Sequence, residues 1–429
     1  MWQRSSDDSG HKPVPTPHNT APFITTPESL AAFCKTLHGA KVIALDTEFV
    51  GENSYFPRLE IVQVAIDGAA AVIDYPAVRE LGALFEVLYD PAVEKVFHAG
   101  TQDLEILYHL SGRPLPHVFD TQVAAAYVGY GDCVSYASLV ERVTGHHLKK
   151  LHTVTDWSRR PLSPAQLAYA VEDVTWLLPV HAHLLERLRK LGRLDWVREE
   201  CMALEGVPSK ARVEDRERFR RVKDRHRLTP RELGILRELA AWREEVSRSR
   251  NIPRLRVVSD EILVEIARLS PSRAADLRNI RRLYPRSVER YGEAILQAVR
   301  RGLNVPEPEL PKHEKGRTLR IRPGVPELLN AVLRARAGER HVAPTLIATM
   351  RDLEILAHDP RREEARALPL LNGWRREMVG NELVDILEGR ATVRLEGRGG
   401  RLRVDRAPGA SETPPLAPRR SEDGKKPDA

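Results

Sequence analysis

Five residues of this chain have the types and spacing to bind a hard cation and act on a water molecule. Asp46 and Glu48 stand two apart in Leu45-Asp46-Thr47-Glu48-Phe49, at the end of an apolar run. A strand's two-residue side-chain period puts both carboxylates on one face, and a metal ion fits between them. Taken alone, the pair is equally an ordinary charged strand end. Asp103 follows in His98-Ala99-Gly100-Thr101-Gln102-Asp103, where a strand stops at small residues and a helix starts. An acid in a first helical turn most often just complements the helix dipole. Tyr169 and Asp173 lie four apart on a later helical stretch and so share one face. In isolation that pair is a half-buried helix with Tyr in the core and Asp in solvent. Each signal is weak alone, and the weight lies in their combination and order.

Those residues need elements to position them. The spacing predicts a helix over Thr26 to Leu37, then strands at Lys41 to Leu45, Leu59 to Ile66 and Ala71 to Asp74, an antiparallel meander turned by Asp67-Gly68. A helix at Val78 to Leu88, a strand at Lys95 to His98, a helix opened by Thr101, and an apolar patch at Val118-Phe119 leading into a further helix complete an α/β half. From about Ala165 the apolar residues recur at helical spacing, with no convincing strand until near the C-terminus. Gly206-Val207-Pro208-Ser209 is a plausible linker, and the three prolines of Asn304 to Lys315 break the chain again. The segment between these breaks has the size of a small helical bundle, and Pro326 to Leu387 forms a third, helical segment.

Asp-x-Glu on a strand, an Asp after a later strand and Tyr-x-x-x-Asp on a late helix, in that order, resemble the three motifs of the DEDDy exonuclease superfamily. The surrounding stretches VIALDTEFVGENSYFPRLEIVQVA, KVFHAGTQDLEIL, FDTQVAAAYVGYG and TDWSRRPLSPAQLAYAVEDVTWLLPV are similar to those of the ribonuclease D family over about residues 20 to 200. The resemblance implies a ribonuclease H-like α/β exonuclease domain with a mixed sheet, followed by all-α domains of HRDC type. It also implies that Asp46, Glu48, Asp103 and Asp173 bind two divalent cations per site, Mg²⁺ or Mn²⁺, through oxygen ligands. Two such ions about 3.5 to 4 Å apart clamp an in-line displacement, one activating water and the other stabilising the leaving 3′ oxygen. Tyr169 then orients the water without ionising, since a phenol has an unperturbed pKa of about 10. The expected activity is release of 5′-mononucleotides from RNA 3′ ends, in tRNA 3′ maturation.

Other polar residues have plainer readings. Asp120 is expected to cap a helix. His146-His147 and His181-x-His183 lack a partnered Cys or acid at ligand spacing and are expected on the surface or in packing. Phe49 and Tyr55 are candidates to stack on terminal bases, with core packing as the alternative.

The stretch ELGILRELAAWREEVSRSRNIPRLRVVSDEILVEIARLSP, ending in RYGEAILQAVRRG, is similar to the HRDC domain shared by ribonuclease D and RecQ-type helicases. Leu233, Leu236, Leu239 and Ala240 form its inward face, with Trp242. Outside, Arg248, Arg250, Arg254 and Arg256 are candidates to contact phosphates, against simple solvation. The segment containing PTLIATMRDLEILA and LPLLNGWRREMVGNELVDIL resembles a more divergent second HRDC-like domain. The expected division is a tail at 1–20, the exonuclease domain at 21–204, HRDC at 210–303, the second helical domain at 320–400 and a tail at 405–429.

Charge agrees with a polyanionic partner. The net charge is +7, and residues 205 to 302 hold 25 Lys and Arg against 15 Asp and Glu, so the basic excess is local. The three cysteines are far apart and in no CxxC pair, which excludes a disulfide framework and a thiolate zinc site. With no long apolar stretch and a polar N-terminus, the expectation is a cytoplasmic protein with no membrane or protein partner, acting on RNA with a single-stranded 3′ end, such as tRNA precursors. A DNA exonuclease and a noncatalytic nucleic-acid-binding protein are the alternatives; all five motif residues are present, which argues against the second.

Overall fold

The computed structural model describes residues 21–148, 155–206, 214–311, 321–397 and 400–406. The expected tail at 1–20, nearly all of that at 405–429, and most of the linker after Gly206 lie outside the described residues. Packing divides the chain into two units. One comprises Met1–Thr121, Val140–His183 and Glu200–Lys315, and the other Gln122–Leu139, Leu184–Glu199 and Gly316–Ala429.

The first unit is built on a six-stranded sheet of order β1-β4-β3-β2-β5-β6. Its strands are β1 (Phe23–Ile24), β2 (Val42–Val50), β3 (Arg58–Ile66), β4 (Ala69–Asp74), β5 (Glu94–Phe97) and β6 (Val118–Asp120). β2, β3 and β4 form the antiparallel meander, while β5 pairs parallel with β2, β6 with β5, and β1 with β4. The sheet is therefore mixed. The Asp67-Gly68 turn uses a left-handed glycine, with φ of 81° at Gly68.

Helix α1 (Pro27–Leu37) starts at a reciprocal capping box between Thr26 and Ser29. The helix expected over Val78 to Leu88 is two pieces, α2 (Tyr75–Val78) and α3 (Gly82–Leu88). Arg79 explains the break: at φ of 65° it closes α2 as a left-handed cap. The helices α4 (Thr101–Ser111), α5 (Thr121–Tyr127), α6 (Tyr136–Thr144) and α7 (Pro164–Thr175) follow in sequence. One core cluster joins Leu30, Phe33 and Leu37 of α1 to Ile43, Leu45 and Val64 of the sheet and to Leu84, Leu88 and Leu107. A smaller cluster puts Ile61 and Val72 of the sheet against Trp157, Leu162 and Ala170, the last on α7.

The helical part of this unit packs the long helix Pro230–Ser249 against Pro285–Leu303 around Leu236, Leu239, Ile266, Ile295 and Val299. Thr229 and Glu232 cap the first of these reciprocally. Trp242 lies in this core, edge-on to Tyr291, as its place on the apolar face of the sequence required.

The second unit draws segments from distant parts of the chain. Trp374 stacks on Trp196 with ring centroids 4.7 Å apart and meets Tyr127 edge-on at 5.3 Å. The Arg193 guanidinium donates to the carbonyls of Tyr127 and Arg340 at 2.7 and 2.5 Å. Segments 122–139 and 184–199 thus belong to the same packing unit as 316–429. The unit also ends in a two-stranded hairpin, β7 (Ala391–Glu396) with β8 (Arg401–Arg406).

One close approach is testable. A Cβ on Gly302 would lie 2.4 Å from the Ile235 Cα, so the two long helices touch backbone to backbone there. Gly302→Ala is expected to force them apart and cost about 1–3 kcal/mol in chemical denaturation, while leaving metal binding at the distant carboxylates unchanged.

Candidate metal centre

Three elements bring the acids together. The first is β2, an inner strand of the sheet between β3 and β5, which carries Asp46 and Glu48 on the same face. Just beyond Glu48 the pairing with β3 slips: Glu48 faces Ile61 but Phe49 faces Leu59, leaving Glu60 as an extra residue. Such a bulge, here on β3, locally disrupts the ladder and increases its twist beside Glu48, with pairing resuming at Phe49 and Leu59.

The second element is α4. Ala99 is left-handed, at φ of 56°, and the Asp120 carboxylate accepts from the backbone amides of Ala99 and Gly100 at 3.1 and 2.9 Å. Asp120 thus fixes the turn that opens α4, the helix of Asp103. Gly100 has no room for a side chain, because a Cβ would stand 2.5 Å from that of the core residue Phe97.

The third is α7, which packs on β2, β3 and β4. It opens at a capping box between Ser163 and Gln166 with Pro164 in its first turn. Before it, Arg160 donates to both oxygens of buried Asp74 on β4, at 2.7 and 2.9 Å, and to the carbonyl of Trp157 at 2.6 Å. The bidentate pair pins the approach to α7 onto the sheet.

The result is a convergence of carboxylates. Asp46, Glu48 and Asp173 each offer an oxygen within 4.8 Å of the other two. Asp103 is buried beside them; it accepts a short hydrogen bond from the Thr47 hydroxyl and acts electrostatically on Asp46 and Glu48. Tyr169, one helical turn before Asp173, shares a hydrogen bond with its carboxylate. All five motif residues of the sequence therefore meet.

Their electrostatics are strained. Burial, then repulsion from Asp103, Asp173 and Glu48, holds the Asp46 carboxyl well above the usual carboxylate range. Burial and then Glu48 do the same to Asp173, opposed by the Tyr169 hydrogen bond. Burial also raises Asp103 against the lowering effect of Thr47, and burial with Asp103 raises Glu48 to about 7. Burial and the nearby carboxylates push the Tyr169 phenol upward, so it stays a neutral donor. A hard divalent cation relieves this crowding, and an all-oxygen donor set suits Mg²⁺ or Mn²⁺. Gln63, cross-strand from Asp46 and fully buried, has neither amide atom hydrogen-bonded to protein among the described residues, which adds polar capacity beside the acids. The residues present fit the ions.

The remaining candidates fall elsewhere. Phe49 packs, partly buried, against the main core. Tyr55 donates its hydroxyl to Glu244, with the guanidiniums of Arg248 and Arg254 over its ring at 5.9 and 5.0 Å. Arg248 pairs with Asp215, Arg254 with Glu244, and Arg256 with the side chain of Asn53, while Arg250 lies over the Tyr291 ring. These intramolecular partners were not visible in the sequence. His146 stacks on Trp176, and His181 packs edge-on to Phe119 with Nε2 2.6 Å from Glu94, so both have packing roles. Thr47, Gln63 and Arg160 are positioning residues that motif reasoning missed. Thr47 and Gln63 could have been found from their register beside the acids; Arg160 had no signal.

Residues 22–189 match the 3′-5′ exonuclease family and residues 232–299 the HRDC domain. The chain is 42% identical to ribonuclease D of Nitrobacter hamburgensis over 90% of its length and 100% of the relative's. It is 41% identical to ribonuclease D of Acidiphilium cryptum, over 91% and 98% of the two chains. The crystal structure of Escherichia coli RNase D, described as an exoribonuclease involved in structured RNA processing, superposes with a TM-score of 0.76 at 29% identity, covering 86% of this chain and 99% of that one.

The raised carboxyls set a pH dependence for the metal-free protein. A group such as Glu48, raised from 4.5 to about 7, contributes stability that is fully present below its unfolded value and lost as pH rises through about 7. The melting temperature of EDTA-treated protein is expected to fall between about pH 4.5 and 7 relative to a Glu48→Gln variant, and millimolar Mg²⁺ should raise it at pH 7 and not at pH 4.5. A metal-free melting curve with no such decline would contradict this electrostatic reading.

Proposed function

The chain belongs to the ribonuclease D family and is a 3′-5′ exoribonuclease, and from that premise we propose that it releases 5′-mononucleotides by two-metal hydrolysis from single-stranded 3′ ends of structured RNAs, among them tRNA precursors. The observation that supports this reading is the meeting of Asp46, Glu48, Asp103, Tyr169 and Asp173 in one partly buried site. In it, Asp46, Glu48, Asp103 and Asp173 would hold the ions. Bound there, divalent cations supply Lewis acidity to the scissile phosphate and lower the pKa of water.

The chain's own residues do the rest. The carboxylates supply the oxygen ligands, Thr47 holds Asp103, and Asp120 holds the turn before it. Tyr169, neutral and donating its hydroxyl proton to Asp173, orients the attacking water by accepting from it at the hydroxyl oxygen. Around this site the proposed exonuclease domain spans 21–204, the HRDC domain 210–303 and a second helical domain 320–400, the HRDC region contributing a basic surface for RNA. No helix among the described residues is long and apolar enough to cross a membrane, in keeping with a cytoplasmic place for the reaction.

A gel time course on 5′-labelled, 3′-tailed RNA beside matched DNA tests this. Progressive shortening of RNA in Mg²⁺ or Mn²⁺, abolished by EDTA and by Asp46→Asn, is expected. Tyr169→Phe should lower kcat by about a hundredfold while ion binding persists. Equal or faster loss of DNA would favour a DNA exonuclease, and RNA binding without shortening would sink catalysis.

A further inference from the structure

We propose that Asn251 and Glu244 of the HRDC region are positioning residues for hydrolysis, clamping the loop Gly51–Pro57 that continues the strand of Asp46 and Glu48. The inference rests on the exonuclease reading above and adds a role for the helical region other than RNA binding.

The loop leaves β2 immediately after the metal-binding pair and returns as β3. Its far end reaches a second part of the site, since the Phe56 ring stacks on His109 of α4 at 3.9 Å, and α4 carries Asp103. A displacement of this loop therefore bears on the two elements that hold Asp46, Glu48 and Asp103.

Four hydrogen bonds tie the loop to the helical region. The Asn251 side-chain carbonyl accepts from the backbone amides of Tyr55 and Phe56, at 3.1 and 2.9 Å. The Tyr55 hydroxyl donates to Glu244, and Arg256 donates to Asn53. Glu244 is fixed in turn: its side chain is 2% exposed, it receives Arg254 at 2.5 and 2.7 Å, and Arg218 Nε stands 2.9 Å away. Asn251 is fixed as well. It is the left-handed residue, at φ of 48°, that ends the helix Pro230–Ser249, and the Ile252 amide closes that end onto the Ser247 carbonyl at 3.0 Å.

The clamp thus has one rigid jaw on a helix terminus and the other on the loop that joins β2 to β3. The Asn251 bonds go to backbone, so they fix where the loop runs whatever its side chains touch. Tyr55, with its hydroxyl bound and two guanidiniums over its ring, serves as the anchor of this loop.

The test uses the full chain and two RNAs, a 5′-labelled dinucleotide and a long 3′-tailed RNA. Asn251→Gly removes the side chain but keeps the left-handed backbone that Gly adopts freely, and Tyr55→Phe removes one loop contact while keeping the ring. Circular dichroism checks folding, and Mn²⁺ titration checks the ion site. The proposal predicts that kcat falls about tenfold in Asn251→Gly on both RNAs, with a smaller fall in Tyr55→Phe and Mn²⁺ affinity unchanged. A normal kcat on the dinucleotide, with only KM for the long RNA raised, would overturn it and leave the helical region as an RNA surface. Wild-type protein that shortens neither RNA would instead overturn the exonuclease reading beneath the proposal.

Discussion

Four carboxylates in one partly buried site repel one another, and burial penalises each charge besides. In this chain Asp46, Glu48, Asp103 and Asp173 are brought together despite that cost, with their carboxyls raised by burial and by their neighbours. A protein surface would let such groups separate into solvent. Here a β2 strand at the middle of a sheet, a helix whose opening turn is fixed by Asp120 and a helix pinned through Arg160 and Asp74 hold them in place. The surrounding fold keeps like charges close together, in an arrangement that could hold a divalent cation.

That constraint explains where the structure is most determined. The left-handed Ala99, the side-chain-intolerant Gly100 and the bulge at Glu48 all lie at the ends of elements that deliver an acid. The same economy extends to the HRDC region, whose Glu244 and Asn251 engage the loop after β2. An arginine-rich helical region therefore has two kinds of guanidinium. Some, such as Arg254 and Arg218, serve a buried acid, whereas others, such as Arg220 and Arg300, pair with exposed acids.

Much of the site was legible in the sequence because its signals are local. Asp46 and Glu48 share a face by strand period, and Tyr169 and Asp173 by helix period. The resemblance then supplied the joint between them. What stayed hidden depends on tertiary contact. Arg254 and Arg248 look like solvent-facing cations until Glu244 and Asp215 are placed beside them, and Tyr55 looks like a stacking platform until its ring is seen against guanidiniums. Arg79 gave no glycine or proline to announce the break between α2 and α3. The two-unit packing, with Trp196 and Trp374 stacked across a long sequence separation, has no local signal at all.

The most direct test of the account is a Mn²⁺ titration followed by electron paramagnetic resonance, on the wild-type chain and on Asp173→Asn. If crowded carboxylates are held together to bind cations, the wild type takes up two Mn²⁺ at micromolar to millimolar concentration and the variant loses at least one. Absence of bound Mn²⁺ at saturating concentration, or identical binding by both proteins, would contradict the claim on which the rest depends.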